Sequence, residues 1–182
     1  FRPPDTTDAY SSSDPLYDPE QLPPTVIDAD GLNLLAQIEA WPTRLPAERL
    51  ILTPHPGEMR RLLKQDELAA DLVQVAADAA QAWRQVVVLK GATTIVATPD
   101  GATRILAAGN PALATAGTGD VLAGIIAALL AQGLATADAA TLGVYLHSAA
   151  GALLRDELGE MGTLASDLLP RLPLVIRALK AG

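Results

Sequence analysis

Four consecutive apolar residues, Val86 to Leu89, restrict the fold of this 182-residue chain more than any other stretch. A strand with one face in water shows alternating polar residues, whereas an unbroken run of this kind is typical of a strand buried on both faces. Such strands occur in parallel sheets that helices cover on each side. The run therefore predicts a sheet in the middle of a layered α/β domain.

The segments around this run alternate between strand and helix patterns. We predict strands at 25–29 and 49–53, helices at 32–41 and 68–83, a hairpin at 93–108 and helices from 119 onward. This alternation favours a mostly parallel sheet, in which ligands bind beyond the carboxyl ends of the strands. Residues 1–24 are rich in proline and serine, show no periodicity and are predicted to be an irregular arm, so that the domain begins at residue 25.

Polar side chains follow three of these strands at the points where the strands end. The residues concerned are Asp28, Asp30 and Asn33 after the first, His55 and Glu58 after the second, and Lys90 after Val86 to Leu89. Because the carboxyl ends of parallel strands meet at one edge of a sheet, these side chains predict one shared pocket.

The sequence ATAGTGD at 114–120 precedes an apolar helical stretch and contains two glycines and a carboxylate. Glycines allow positive φ angles and a close approach of a ligand to the backbone, and the first amides of a helix have no intrahelical partner. Gly117 and Gly119 are therefore expected to form an anion site at a helix N-terminus. Asp120 would lie beside that site, where a carboxylate can take a proton from an attacking hydroxyl group.

Charge and composition exclude several classes of protein. The net charge of −8 disfavours a surface that binds the phosphate backbone of nucleic acids, so we expect no nucleic-acid partner. The absence of cysteine excludes disulfides and thiolate chemistry and fits a cytoplasmic location. The longest apolar run, around 121–131, is too short to cross a bilayer, so we expect no membrane span.

Four segments in register resemble the ADP- or ATP-dependent NAD(P)H-hydrate dehydratases of the ribokinase-like superfamily. They are VIDADGLNLL, ILTPHPGEMRRLL, VVLKGATTIVATPDG and GNPALATAGTGDVLAGIIAALLAQG, and the resemblance extends over residues 25–179. It implies a ribokinase-like three-layer α/β/α fold. The implied reaction converts S-NADHX or S-NADPHX, the hydrated forms of NADH and NADPH, back to the reduced cofactors, using ADP or ATP and Mg²⁺. In the family, the hydroxyl on the damaged ring is phosphorylated and phosphate then leaves.

The resemblance also implies roles for individual residues. Asp120 would be the catalytic base and would contact the hydrated ring, with His55, Asp30 and Asn33 on the substrate side. The implied nucleotide-binding residues are Lys90, Gly91, Ala92, Thr93, Thr94, Gly117, Thr118 and Gly119. Glu58 would orient Mg²⁺ through water.

Other interpretations of these residues follow from the local sequence alone. Lys90 could simply be solvated, and Asp30 and Glu58 could cap or support helix starts. His147 is expected to be a packed or half-exposed helix residue.

Family members also have N-terminal glycine-rich segments, of the GGSxxYxGA and GPGLG types, that do not occur here. We therefore expect residues 25–182 to be the C-terminal part of the domain and the N-terminal part of the fold to be absent from this chain. Self-association into a tetramer or larger homo-oligomer, or association with the missing part, is also expected. Two alternatives stay open: a ribokinase-like kinase of small alcohols of the thiamine-precursor or vitamin B6 type, and a nucleotide-binding module without activity. PHPGE and DADGLN favour the dehydratase.

Overall fold

The computed structural model of the protein describes residues 22–106 and 109–181. The predicted arm therefore lies outside the described residues, apart from residues 22–24, which form neither helix nor strand. Five strands are present in the described ranges: β1 (Thr25–Ile27), β2 (Leu50–Leu52), β3 (Val86–Leu89), β4 (Thr94–Ala97) and β5 (Thr103–Leu106). The α-helices are α1 (Ala29–Leu35), α2 (Pro56–Leu63), α3 (Leu72–Trp83), α4 (Thr118–Ala131), α5 (Thr136–Leu158) and α6 (Leu172–Ala181). Short 3₁₀ helices cover Trp41–Thr43, Pro111–Ala114 and Ala165–Arg171.

The five strands form one sheet in the order β1-β2-β3-β4-β5. Strands β1, β2 and β3 run parallel, with Val26 opposite Ile51 and Ile51 opposite Val86. Strands β4 and β5 are antiparallel to their neighbours and form the predicted hairpin around Gly101, whose φ of 86° is readily accessible to glycine. The parallel strands consequently place the residues after β1, β2 and β3 at one edge of the sheet.

Helices cover both faces of the sheet, as the apolar run in β3 predicts. Val86 and Val88 pack into a core with α4, α5 and α6, whereas Val87 and Leu89 pack into a second core with α1, α2 and α3. All four residues of β3 are buried. The architecture is therefore three-layered, with the sheet between two groups of helices.

Two predicted helices differ in length from the observed ones. The helix predicted at 32–41 ends at Leu35, and Trp41 starts a separate 3₁₀ helix that lets its ring pack 5.3 Å from that of Trp83. The helix predicted from residue 68 begins at Leu72, because the Asp71 carboxylate accepts hydrogen bonds from the first free amides. Among the residues that the structure describes, no helix combines the length and the apolarity of a membrane span.

Candidate active site

An ion pair connects the ends of two parallel strands. Lys90 follows β3 and Asp28 follows β1, and the Lys90 Nζ lies 2.6 Å from the Asp28 Oδ1. Both side chains are largely buried, with exposed fractions of 21% and 12%. Lys90 is therefore held in place at the sheet edge rather than freely solvated. Its backbone amide also donates to the Pro54 carbonyl, at 2.8 Å, in the loop that follows β2.

The N-terminus of α4 lies directly against this pair. Gly117 is the N-cap with a φ of 89°, a left-handed conformation that glycine adopts without strain. A Cβ built on Gly119 would be 3.5 Å from the Lys90 Nζ and 3.8 Å from the Asp28 Oδ2. The Thr118 hydroxyl donates to the carbonyls of the preceding loop, including that of Leu113 at 2.7 Å. Free helix amides and an ammonium group thus come together at one place, as an anion site requires.

Asp120 occupies the first turn of α4, next to Gly119 in the chain. Its side chain is exposed and has no hydrogen-bond partner among residues 22–106 and 109–181. A Cβ on Gly117 would lie 3.9 Å from the Asp120 Oδ2, so the carboxylate is close to the glycine turn. The structure therefore leaves this carboxylate free of competing contacts in the described part of the chain.

A cavity of about 760 Å³ opens at the same edge of the sheet. Seven predicted site residues line it: His55, Lys90, Gly91, Ala92, Thr94, Thr118 and Gly119. Six others do not: Asp30, Asn33, Glu58, Thr93, Gly117 and Asp120. Residues that the sequence did not single out for the site, including Leu113, Leu122, Val144, His147 and Ser148, complete the lining. The cavity therefore has a polar part near Lys90 and a more apolar part between α4 and α5.

The PHPGE motif forms the start of α2. His55 is the N-cap, and its Nδ1 accepts hydrogen bonds from the amides of Gly57 and Glu58. In return, the Glu58 carboxylate accepts from the His55 amide at 2.8 Å, which completes a capping box. The remaining Glu58 oxygen lies 3.4 Å from the His55 Nε2. Glu58 is buried and engaged by His55, so the cap accounts for its position, while its role towards Mg²⁺ stays a prediction.

Glycine at position 57 has a steric explanation. A Cβ there would approach the His55 ring to 2.8 Å, which is closer than side-chain carbons come in proteins. The motif thus fixes the imidazole at the cavity wall with Nδ1 as an acceptor.

Asp30 and Asn33 lie on α1 beside α2, outside the cavity. The Asn33 amide donates to the Asp30 carboxylate at 3.5 Å, and Arg61 donates to the Asn33 Oδ1 at 3.0 Å. The N-cap of α1 is Asp28, whose carboxylate binds Lys90 instead of the helix amides. Asp30 therefore does not cap this helix, and the substrate contacts expected for Asp30 and Asn33 stay predictions.

Sequence reasoning assigned no site role to His147. This residue lies in α5, is only 8% exposed, and its Nε2 is 2.9 Å from the Thr118 carbonyl oxygen in the first turn of α4. The sequence indicates only a histidine within an otherwise apolar stretch of a helix, and this pattern is common for packed core residues without a functional role. Only the tertiary contact between α4 and α5 shows that the side chain reaches the glycine turn.

Burial lowers the pKa of His147 below its ordinary value of 6.5, and the charge of Lys90 lowers the pKa further, against the opposing effect of the Thr118 hydrogen bond. Below pH 6.5 the unfolded chain therefore binds a proton at His147 that the folded chain resists. We expect the free energy of unfolding to decrease as pH falls from 6.5 through the lower folded-state pKa. In urea unfolding at several pH values, the H147Q variant should show a weaker decrease than the wild type, and parallel curves would contradict this.

The fold and the site define an α/β protein with an anion-suited cavity at the carboxyl ends of its parallel strands. Residues 18–174 match the family model described as NAD(P)H-hydrate dehydratase. The chain belongs to the NAD(P)H-hydrate dehydratase family.

Similar proteins agree with this assignment. The bifunctional NAD(P)H-hydrate repair enzyme Nnr of Moorella thermoacetica is 48% identical over 159 residues, which cover 86% of this chain and 30% of that protein. The ADP/ATP-dependent NAD(P)H-hydrate dehydratase of Bacillus subtilis, crystallised with ATP and Mg²⁺, has a TM-score of 0.73 and 34% identity, covering 87% of this chain and 58% of that one. A ribokinase-like superfamily protein of Enterococcus faecalis has a TM-score of 0.62 and 31% identity, covering 84% and 52%. The predicted ribokinase-like fold is thus confirmed, and the chain spans less than two thirds of the length of each of these relatives.

Proposed function

We propose that this chain carries the nucleotide-binding and catalytic part of an enzyme that dehydrates S-NADHX and S-NADPHX at the expense of ADP or ATP. The observation that carries the proposal is the junction of Lys90, Gly119 and Asp120, where an anion site and an uncommitted carboxylate adjoin. Family membership and the structural similarity to the Bacillus subtilis enzyme support the choice of substrate and nucleotide.

The lining of the cavity suggests how the nucleotide lies in it. Lys90 and the amides around Gly119 favour phosphate groups, because both supply positive potential. The apolar surface of Leu113, Leu122 and Val144 favours the adenine base and would exclude water from it. The terminal phosphate would then lie at the first turn of α4, close to Asp120.

Asp120 would accept the proton of the ring hydroxyl while the hydroxyl oxygen attacks the terminal phosphorus. The bond between the terminal phosphorus and the bridging oxygen breaks, so that ADP is converted to AMP, or ATP to ADP. The bond between the ring carbon and the ester oxygen then breaks, inorganic phosphate leaves with the bonding electron pair, and the neighbouring ring carbon loses a proton to water, so that the double bond of the reduced nicotinamide forms again. Phosphorylation is useful here because phosphate is a far better leaving group than hydroxide.

Magnesium would be held mainly by the nucleotide phosphates. Within the ranges that the structure describes, no group of three or more His, Cys, Asp or Glu side chains could hold a metal ion. Mg²⁺ usually keeps several waters and binds through one or two carboxylates together with substrate phosphates, so such a group is not required. Glu58 is engaged by His55, so any contribution from this carboxylate would pass through a bound water, as the resemblance implies. Bound Mg²⁺ would offset the charge that develops on the transferring phosphoryl group.

The decisive experiment incubates the full-length protein with purified S-NADHX, Mg²⁺ and either ADP or ATP. The proposal expects the absorbance of reduced nicotinamide to return only when a nucleotide is present. Phosphorylation of a pyridine or pyrimidine alcohol, with S-NADHX unchanged, would favour the small-alcohol kinase instead. Nucleotide binding without turnover of any of these substrates would favour the inactive nucleotide-binding module.

The K90A variant is expected to raise the nucleotide's KM by about 10-fold, and more than it raises the KM for S-NADHX, because a charge-assisted contact to phosphate is lost. Steady-state kinetics with each substrate varied in turn would measure both constants. D28N is the matched control, since it breaks the same ion pair but leaves the ammonium group in place. A larger increase for S-NADHX than for the nucleotide in K90A would place Lys90 on the wrong side of the site.

Self-association, or association with another part of a longer protein, belongs to the same proposal. Several large apolar side chains are exposed in the C-terminal region, among them Met161, Leu164, Leu169 and Leu179. Such a set is more typical of a covered surface than of one that faces water. A cytoplasmic location, which the cysteine-free composition fits, is also proposed.

A further inference from the structure

The hydrogen bond of His147 to the α4 turn fixes the state of its ring. The Thr118 carbonyl can only accept a hydrogen bond, so the His147 Nε2, at 2.9 Å, must carry the hydrogen. In a neutral imidazole, Nδ1 then has a free lone pair and can only accept. Burial and the nearby Lys90 both favour the neutral ring, because both lower the pKa of His147.

The second nitrogen of His147 is available to a ligand. Nδ1 forms no hydrogen bond within the part of the chain that the structure describes. It is also not one of the fully buried atoms without a partner, so it is not sealed off from the cavity. His147 also lines the cavity, next to Ser148 and close to the apolar surface of Leu122 and Val144. His147 therefore contributes an unused acceptor to the lining of the part of the cavity that suits a nucleoside better than a phosphate.

We propose that His147 recognises the nucleoside part of the nucleotide, its Nδ1 accepting a hydrogen bond from a ribose hydroxyl or from the adenine amino group. A neutral acceptor would repel phosphate oxygens, which excludes the phosphates as its partner. Through its Nε2, the same ring holds the Thr118 carbonyl and thus the turn that carries Gly119 and Asp120. His147 thereby links recognition of the nucleoside to the position of the phosphate-binding turn. This inference rests on the proposed nucleotide site.

The test compares ADP with three analogues that each lack one donor: 2′-deoxy-ADP, 3′-deoxy-ADP and the diphosphate of purine riboside. Binding of each to the full-length protein is measured by calorimetry with Mg²⁺ present. We expect the wild type to bind one of the three about 3- to 10-fold more weakly than ADP. The H147Q variant should bind ADP more weakly by a similar factor and should not discriminate against that analogue. Glutamine retains an amide that can donate to the Thr118 carbonyl but lacks the acceptor at the Nδ1 position.

Kinetics separate the two roles of the ring. H147Q should raise the nucleotide's KM with kcat nearly unchanged, whereas H147A, which also loses the bond to Thr118, should lower kcat as well. Y145F is the control on the same helix, because Tyr145 is 43% exposed and does not line the cavity. It should match the wild type in both constants.

The outcomes distinguish this inference from the proposed function. If H147Q loses the same affinity as the wild type on going from ADP to each of the three analogues, the role of His147 is overturned and the nucleotide site is left intact. A wild type that binds no adenine nucleotide would overturn both. Coupling between H147Q and a single analogue supports the inference and identifies the donor.

Discussion

The D120N variant is expected to lose about 100- to 10,000-fold in kcat for S-NADHX dehydration, which is the range that removal of a positioned general base produces. Asparagine has nearly the same shape as aspartate but cannot take the hydroxyl proton. Asp120 is exposed and free of hydrogen bonds to the described residues, so the exchange should leave the fold intact. Affinity for ADP should change by a much smaller factor, and in either direction, because the carboxylate lies near the proposed phosphate site without forming it.

Single-turnover kinetics and calorimetry would separate these two effects. Asp138 provides a matched control, since it is an exposed aspartate in the first turn of α5. Like Asp120, it lies in the positive electrostatic field of a helix N-terminus. D138N should retain full turnover. A folded D120N protein with undiminished turnover would show that another group takes the proton.

The G119A variant is expected to weaken nucleotide binding by about 10- to 100-fold, because a methyl group would occupy the space in which phosphate meets the helix amides. The added Cβ would lie 3.5 Å from the Lys90 Nζ and 3.8 Å from the Asp28 Oδ2, which are ordinary contact distances. The protein itself should therefore accommodate the methyl group, and the loss should fall on the ligand. Calorimetric titration with ADP and Mg²⁺ would measure it.

The control for this change is Gly124, further along α4. A Cβ at Gly124 would meet nothing within 4 Å, and the residue is exposed. G124A should keep wild-type affinity for ADP and should raise the free energy of unfolding by up to about 1 kcal/mol, the difference in helix propensity between alanine and glycine. Equal ADP affinities of G119A and the wild type would contradict a phosphate site at this turn.

Much of the fold follows from local patterns in the sequence. The four apolar residues of β3 predict burial on both faces, and the structure confirms this because their side chains alternate between two cores. The glycine at position 101 predicts the β4–β5 hairpin, since few other residues adopt the φ that its turn needs. The boundaries of α1 are less predictable, because they depend on Trp41 leaving the helix to pack against Trp83, a contact between distant parts of the chain.

The site divides in a similar way. The glycine turn with free helix amides at Gly117 and Gly119 is predictable, since its geometry depends on a few consecutive residues. The pairing of Lys90 with Asp28 joins residues 62 positions apart, and the contact of His147 with Thr118 joins residues 29 positions apart, so neither has a local signature. Glu58 forms the helix cap that the local sequence offers as the alternative to a metal role. The three-residue spacing between His55 and Glu58 is the sequence pattern that indicates such a cap.

The backbone hydrogen bonds just beyond the parallel strands restrict how this site can change in evolution or in the laboratory. The Thr53 amide donates to the Ile27 carbonyl of β1, and the next residue, Pro54, accepts from Lys90. The loop after β2 is thus hydrogen-bonded on both sides, once to the strand before Asp28 and once to Lys90, the first residue of the predicted nucleotide-binding segment. Inserting or deleting a single residue between Leu52 and His55 would break one of these bonds or turn the His55 ring away from the cavity. Loop length here should therefore vary little, and diversity in substrate preference would have to arise through exchange of side chains.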